Sequence, residues 1–542
     1  MNYRIKATVP ATLTLAAVTL AGTALLAACS SSTATEAGTD KSQTITYVHE
    51  QEPPCLWGAW VQQAYLSRQV FDSLISWDND KPVPWLATSW KTSADRKNVT
   101  FTLKEGVQFT DGTPLNADAV VRNVENWVKN LSWNRFSYLT GATAESANTV
   151  TLHLSEPNPE ILRILSNGHY GIQSPTALDK NSTARNCQYP VGSGPWTVKK
   201  WTQGQEILFQ RNDKYNSAPA NAKHSGPAYA KYLEWKFAPD ATTRWSALTT
   251  GQAQVIYNPP SNQWANAQKN YQVYNYITGG RQQVFSFNVA QGPFTDIKVR
   301  QAFVHAVDRK QIVKAVFKGS APFDGNGTLS PTNPFYLNVN DAYPYDPAKA
   351  AQLLDEAGWK TGADGIRSKD GKQLVIRLPY GAGPIISQDG TAALQAVQQQ
   401  VAKVGFKLQL IPLTLTQLFA GQSQAPDQED LGFGYWVWPA PNILDIVYNA
   451  GTTAEPNGNN TTHFNNPEVQ ARITAAQREA DPVRRAQRYK ELQQYFTDQA
   501  IAIGFYDFTN NVVAAKGLKG FWQDQGSNGL PVFSDVELSG AK

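Results

Sequence analysis

The sequence predicts an α/β protein of more than one lobe, and three observations predict it. The chain has 542 residues, whereas one domain uses roughly 100 to 200, so two or three lobes are expected. Strand-like runs at 44–48, 99–103, 150–154, 284–289, 374–379 and 407–413 alternate with helix-period segments, the pattern of mixed α and β layers. The 16 Trp, 22 Tyr and 22 Phe supply enough apolar surface to offset the entropy of ordering the chain, which excludes disorder as its main state. Lys and Arg total 48 against 44 Asp and Glu, a net charge of +4 with no basic run, so no nucleic-acid partner is expected.

The first element is a leader. Arg4 and Lys6 precede an uncharged apolar run over 7–28, followed by Ser30-Ser31-Ser32-Thr33, the pattern of a secretory signal. Its end, Leu26-Ala27-Ala28-Cys29, resembles the bacterial lipobox, in which a small residue precedes the cut and the cysteine is acylated, palmitate being one such chain. Residues 1–28 are then a signal peptide, 29–42 a tether, and Cys29 a membrane anchor rather than part of a spanning helix. An ordinary signal with a chance cysteine, or an uncleaved anchor helix, is the alternative. Beyond the tether no uncharged apolar stretch reaches the roughly 18 residues a spanning helix needs.

Past Cys29 the only cysteines are Cys55 and Cys187. An even pair in an exported chain favours a structural disulfide, with a catalytic cysteine as the rival. Asp111-Gly112 reads as a tight turn after the 99–103 strand, and Asn116 as the cap of a helix carrying Val120, Val121, Val124 and Trp127 on one side. Trp196 to Trp201 and Glu206 to Phe209, around Thr202-Gln203-Gly204-Gln205, read as a hairpin. Val299, Ala302, Phe303, Ala306 and Val307 form an apolar stripe, repeated at Ile312, Val313 and Val316. Asp346-Pro347 starts a helix that Gly358 stops, with Leu353 and Leu354 on its apolar face. Leu394, Val397, Val401 and Val404 mark one more helix facing a sheet.

Catalytic motifs are missing. No G-x-S-x-G elbow, H-E-x-x-H, Walker loop or helix-opening G-x-G-x-x-G occurs, and the six histidines are scattered with no pair at ligand spacing. No cofactor or metal is called for, although carboxylate pairs suited to a secreted hydrolase would be invisible at this level.

What stands out is an ordered series of segments. Lys81-Pro82-Val83-Pro84-Trp85-Leu86-Ala87 runs through Val99-Thr100-Phe101-Thr102-Leu103-Lys104-Glu105-Gly106-Val107 to Phe109-Thr110-Asp111-Gly112-Thr113-Pro114-Leu115. Val191-Gly192-Ser193-Gly194-Pro195-Trp196, Arg211-Asn212-Asp213-Lys214-Tyr215, Asp240-Ala241-Thr242-Thr243-Arg244 and Phe287-Asn288 before Asp296-Ile297-Lys298-Val299-Arg300-Gln301-Ala302 follow in order. Together these resemble the family 5 extracellular solute-binding proteins, the peptide/nickel group serving ABC importers. The resemblance implies a two-lobed periplasmic-binding-protein fold of class II type with an extra subdomain in the first lobe. Lobe I is expected over 43–71, 181–287 and 506–542, the extra subdomain over 72–180 and lobe II over 288–505. The chain should cross near Phe287-Asn288 and return near Phe505-Tyr506. The implied function is hinge closure around an oligopeptide or other small solute, delivered to permease and ATPase subunits. A monomer outside the cytoplasmic membrane is expected, in a periplasm or at a Gram-positive surface.

Peptide binders of the family commonly hold the ligand ammonium with an aspartate shortly after a Gly-Trp pair. Here Gly434-Tyr435-Trp436-Val437-Trp438-Pro439-Ala440-Pro441-Asn442 has no acid until Asp445, and a buried ammonium needs one, so Glu50 or Glu52 is the candidate substitute. Trp57, Trp60, Tyr257, Tyr435, Trp436, Trp438 and Asn442 are the candidate ligand contacts, the aromatic members offering stacking faces for aromatic, sugar-like or cationic groups. A metal chelate, opine or glycoconjugate is the alternative ligand, and packing in the core is the alternative role for the tryptophans.

Overall fold

The strand Thr44–His49 is buried along its whole length because it has neighbours on both edges and cover on both faces. It pairs in parallel with Tyr232–Phe237 and Val255–Tyr257. Ile45 and Tyr47 point into a core with Phe209, Trp235 and Phe533, while Val48 joins Trp245, Leu248 and Val513 on the other side. This computed structural model describes residues 43–56, 64–130, 137–383, 385–423, 425–453 and 456–538. The leader, the tether, Cys29, Trp57 and Trp60 lie outside them.

The first strand belongs to a seven-stranded sheet ordered Gln272–Ile277, Thr509–Ala514, Val255–Tyr257, Thr44–His49, Tyr232–Phe237, Glu206–Arg211, Trp196–Thr202. The expected hairpin is its edge, Trp196–Thr202 running antiparallel to Glu206–Arg211, with Gly204 in the turn at φ 72°. A four-stranded antiparallel sheet is built from Ala87–Thr92, Asn98–Leu103, Thr149–Leu154 and Leu139–Ser146. Against it packs the helix Ala117–Asn130, capped where expected: Asn116 Oδ1 accepts from the Ala119 amide at 3.0 Å, and Val120, Val124 and Trp127 are buried.

A third group of elements lies between 280 and 506. Gly280–Phe287 is the centre of an antiparallel sheet flanked by Leu431–Val437 and Ala502–Tyr506, and Val375–Gly381 pairs in parallel with Lys407–Leu413. Ile297–His305, Arg309–Phe317, Pro347–Glu356 and Gln388–Ala402 cover these strands, and their apolar stripes form one core around Phe285, Phe303, Leu354 and Val397. Asp346 caps its helix through the Lys349 amide, and Gly358 stops it at φ 85°.

A further cluster joins Trp127 and Tyr170 of the four-stranded region to Ile443–Tyr448, Pro467–Arg478 and Pro482–Asp498. Polar contacts follow the same seam: Tyr138 donates to Gln477 at 2.9 Å, and Arg485 meets Glu160 and Arg478 meets Glu156, each at 3.2 Å.

Cys55 and Cys187 form a disulfide across 132 residues of sequence, and the Leu56 amide bonds the Cys187 carbonyl beside it at 2.9 Å. Closing so long a loop restricts the unfolded chain. Replacing both cysteines by serine should lower stability by about 2–4 kcal/mol, measured by denaturant unfolding, with no fall in the untreated protein on reduction as the contrary result.

Candidate functional site

Two chain crossings lie side by side between the seven-stranded sheet and the Gly280–Phe287 sheet. One is Thr278-Gly279, leaving Gln272–Ile277; the other is Asp507-Phe508, entering Thr509–Ala514. They are tied together: the Thr278 amide and hydroxyl donate to the Phe508 carbonyl at 2.9 and 3.1 Å, and Gln282 Nε2 donates to the Thr278 carbonyl at 2.9 Å. Gly280 sits at φ 112°, where a Cβ would lie 2.1 Å from the Trp436 carbonyl oxygen, so only glycine permits this approach.

A cleft partly open to solvent lies at these crossings. Its walls combine ends of the seven-stranded sheet (Tyr47, His49, Tyr257, Asn510, Val512) with Glu50, Gln51, Thr278, Tyr435, Val437 and Phe508. Asn167 and His169 enter from the segment after the four-stranded sheet, and 527–531 close the remaining side.

The walls are aromatic and stacked. Tyr435 and Phe508 lie face to face with centroids 3.9 Å apart and planes 11° apart. His49 stacks on Tyr257 at 4.5 Å, and Tyr257 donates to Asn510 Oδ1 at 2.8 Å. The Tyr47 and Ser527 hydroxyls are buried without a hydrogen-bond partner, a costly condition that a polar ligand or water in the cleft relieves.

Glu50 is the acid of the cleft. Its side chain keeps about a fifth of its surface exposed, with a carboxylate oxygen 3.5 Å from Arg244. Burial pushes its carboxyl up, while Arg244 and a hydrogen bond with Asn258 pull it back down. Arg244 itself is held by four carbonyls, those of Tyr257, Ala238, Pro239 and Asn258, at 2.7–2.8 Å. Burial pushes the His49 ring down to about 3, so it lines the cleft as a neutral group at every physiological pH. Glu52 is committed elsewhere, accepting from Trp201 Nε1 at 2.6 Å and the Gly204 amide at 2.9 Å. Asp445, the first acid after Gly434, accepts from Asn449 and Gln470, both at 2.9 Å.

Of the candidate contacts, Tyr257 and Tyr435 line the cleft; Trp436, Trp438 and Asn442 do not. Trp438 is only 2% exposed, packs in the core beside Ala440 and Tyr448, and donates from Nε1 to Asn442 Oδ1 at 2.7 Å. Trp436 packs against the same core. The physical reason is strand alternation: Trp436 and Trp438 share one face of the chain and Tyr435 takes the other. Sequence reasoning missed His49, Asn167, His169, Phe508, Asn510 and Asn528. Only Phe508 and Asn510 carried a signal, lying just past the expected return crossing. Among the described residues no three His, Cys, Asp or Glu side chains come together to hold a metal ion, and no helix is long and apolar enough to cross a membrane.

Among the described residues, the lining of this aromatic cleft at paired crossings between two sheets holds one acid, Glu50, an arrangement suited to holding a small solute. Residues 81–455, more than half of the chain, match the model of the bacterial extracellular solute-binding proteins, family 5 Middle, and the chain belongs to that family. Its members are extracytoplasmic receptors of ABC importers rather than enzymes. The chain is similar to the glutathione-binding protein GsiB of Salmonella typhi, 28% identical over 84% of this chain and 87% of the relative, and equally to that of Escherichia coli K12, 28% identical over 81% and 83%. The two-lobed fold is shared with solved structures. NikA of Brucella suis with Fe(III)-EDTA has a TM-score of 0.77 at 23% identity, covering 91% of this chain and 99% of that one. The oligopeptide-binding protein AppA of Bacillus subtilis with a nonapeptide has a TM-score of 0.76 at 22% identity, covering 92% and 99%.

Trp438→Ala should cost about 3–5 kcal/mol of stability, as removal of a buried Trp does, whereas Tyr435→Ala should cost about 1 kcal/mol, the worth of one aromatic pair. Thermal or denaturant unfolding of the two variants distinguishes a core tryptophan from a cleft tyrosine, and equal losses would contradict the assignment.

Proposed function

We propose that this receptor binds a peptide or peptide-sized solute carrying an ammonium group, and that Glu50 supplies the counter-charge the family usually places after Gly434. The observation that carries the proposal is Glu50 itself, a partly exposed carboxylate with Arg244 behind it at 3.5 Å and the one acid among the described residues that line the aromatic cleft. A buried ammonium needs such a partner, and charge-assisted hydrogen bonds are the strong ones. Tyr257 and Tyr435, with Phe508, offer faces for the solute's apolar or cationic groups. The similarity to glutathione-binding proteins supports a small peptide-like ligand.

Closure brings the two lobes together about the paired crossings. We place the first crossing at Thr278-Gly279 rather than near Phe287-Asn288, because Gly280–Phe287 is hydrogen-bonded on both edges to strands of the second lobe. The return lies at Asp507-Phe508. Lobe I then carries the seven-stranded sheet, its extra subdomain the four-stranded one, and lobe II the elements from 280 to 506. The mature protein acts as a monomer, held at the membrane by acylated Cys29, as Leu26-Ala27-Ala28-Cys29 supports.

Native mass spectrometry of the protein as purified should show a small bound solute that denaturation releases as peptides. A single non-peptide mass would replace the peptide reading. In calorimetric titration with trialanine, Glu50→Gln should weaken binding by about 10- to 100-fold, the worth of one hydrogen bond to a charged group, and N-acetyl-trialanine should bind wild type no better than the variant. Equal affinity of wild type for the free and acetylated peptides would remove Glu50 from the role. Cys29→Ala should abolish incorporation of an alkyne-palmitate label into the protein; label retained by the variant would contradict the anchor.

A further inference from the structure

Beside the return crossing, two buried carboxyl groups face each other. Asp507 sits between Tyr506 and Phe508 and is 3% exposed; Asp324, in the stretch after the helix Arg309–Phe317, is 1% exposed. The stretch around Asp324 is fastened to both sheets. The Ser320 carbonyl accepts from Thr509 Oγ1 at 2.9 Å and Asn511 Nδ2 at 3.0 Å, on the seven-stranded side. Asn326 forms a bridge with Ile503, the Gly504 amide donates to the Gly325 carbonyl at 3.0 Å, and the Asp507 amide donates to the Pro322 carbonyl at 2.9 Å. The two segments therefore cross the junction side by side, with the carboxyl pair between them.

Donors reach only part of the pair. Asp324 Oδ1 accepts from the Tyr336 hydroxyl at 2.8 Å and the Asn326 amide at 2.9 Å. Asp324 Oδ2 and Asp507 Oδ1 are buried with no donor, and the two carboxyls are within hydrogen-bond reach of each other. Arg309 and Tyr336 are the other ionisable groups acting on the pair. Arg309 is directed to the Gly504 and Tyr343 carbonyls at 2.8 and 3.0 Å, so it attracts Asp324 without bonding it. Two ionised carboxylates within hydrogen-bond reach, with no donor between them, repel in a low-dielectric site; one proton between them converts the repulsion into a hydrogen bond.

We propose that Asp324 and Asp507 share one proton and form a pH-sensitive clamp on the return crossing, holding it while the proton is present and loosening it when both ionise. Burial, then the charge of Asp324, pushes Asp507 up to about 9, and burial pushes Asp324 up to about 6. Both act as one titrating pair. Exposed aspartates titrate near 4, so the clamped form binds more protons than the open form and is favoured at low pH. Between about pH 6 and 9 the difference is one proton, and opening becomes more favourable by about tenfold per pH unit. Phe508 is the next residue in the chain, so the clamp also sets the position of a cleft wall.

The test is hydrogen exchange of segments 318–326 and 505–510 at several pH values between 6.5 and 8.5, wild type against Asp507→Asn at each pH. The asparagine keeps the shape and donates a hydrogen bond to Asp324, standing in for the protonated acid. The opening constant should rise about tenfold per pH unit in wild type and stay flat in D507N. The same pH dependence in both proteins would overturn the proposal, as would an opening constant that changes on adding calcium or EDTA, which would put a cation where the proton is assigned. Should D507N fail to fold, infrared spectroscopy of wild type decides: a protonated-carboxyl band present at pH 7.5 and gone by pH 10 is expected, and its absence at pH 7.5 overturns the clamp.

Discussion

The structure depends on two chain crossings being bound to each other. Thr278 donates twice to the Phe508 carbonyl, and Gln282 reaches back to the Thr278 carbonyl from the far side of the junction. Hydrogen bonds between buried groups are costly to leave unmade, so these contacts tie the two crossings to each other. Domain closure concentrates its φ/ψ changes in a few such residues. The cleft lies at these crossings, with Thr278 and Phe508 in its walls, so under the proposed closure a solute bound there would bear on the crossing residues themselves.

Charge in the cleft is arranged so that little of it needs a ligand to be tolerated. Arg244 is buried, yet four carbonyls satisfy it before Glu50 is counted. That leaves Glu50 with a 3.5 Å ion pair and a hydrogen bond with Asn258, and still in contact with solvent. A fully paired acid would have nothing to offer a cation, and a wholly unpaired one would take up a proton. His49 is kept neutral by the same burial and contributes a flat ring rather than a charge. Much of the cleft wall is aromatic, which would give a bound solute contact area at low entropic cost.

Much of the fold was legible because periodicity and caps report local burial. Asn116, Asp346 and Gly358 mark helix ends that the structure keeps, and Leu394, Val397 and Val401 are buried as their spacing requires. The cleft was less legible. Trp438 looked like a ligand contact because tryptophan is a good stacking surface, but its place an odd number of residues, three, after Tyr435 sends it to the other side of the chain and into the core, where Asn442 accepts from its indole. Asn167 and His169 could not be found from sequence, since they reach the cleft only through the docking of a segment far away in the chain. Glu50 could be named as a candidate acid but not chosen over Glu52 until the hairpin at Gly204 was seen to occupy the latter.

The measurement that tests this account most directly is a crystal structure of the protein with the solute it retains through purification. The account predicts the solute at the paired crossings, in contact with Tyr257, Tyr435 and Phe508 and with a cationic group against Glu50. A solute bound against Trp436 or Trp438, or one with its charge away from Glu50, would contradict it.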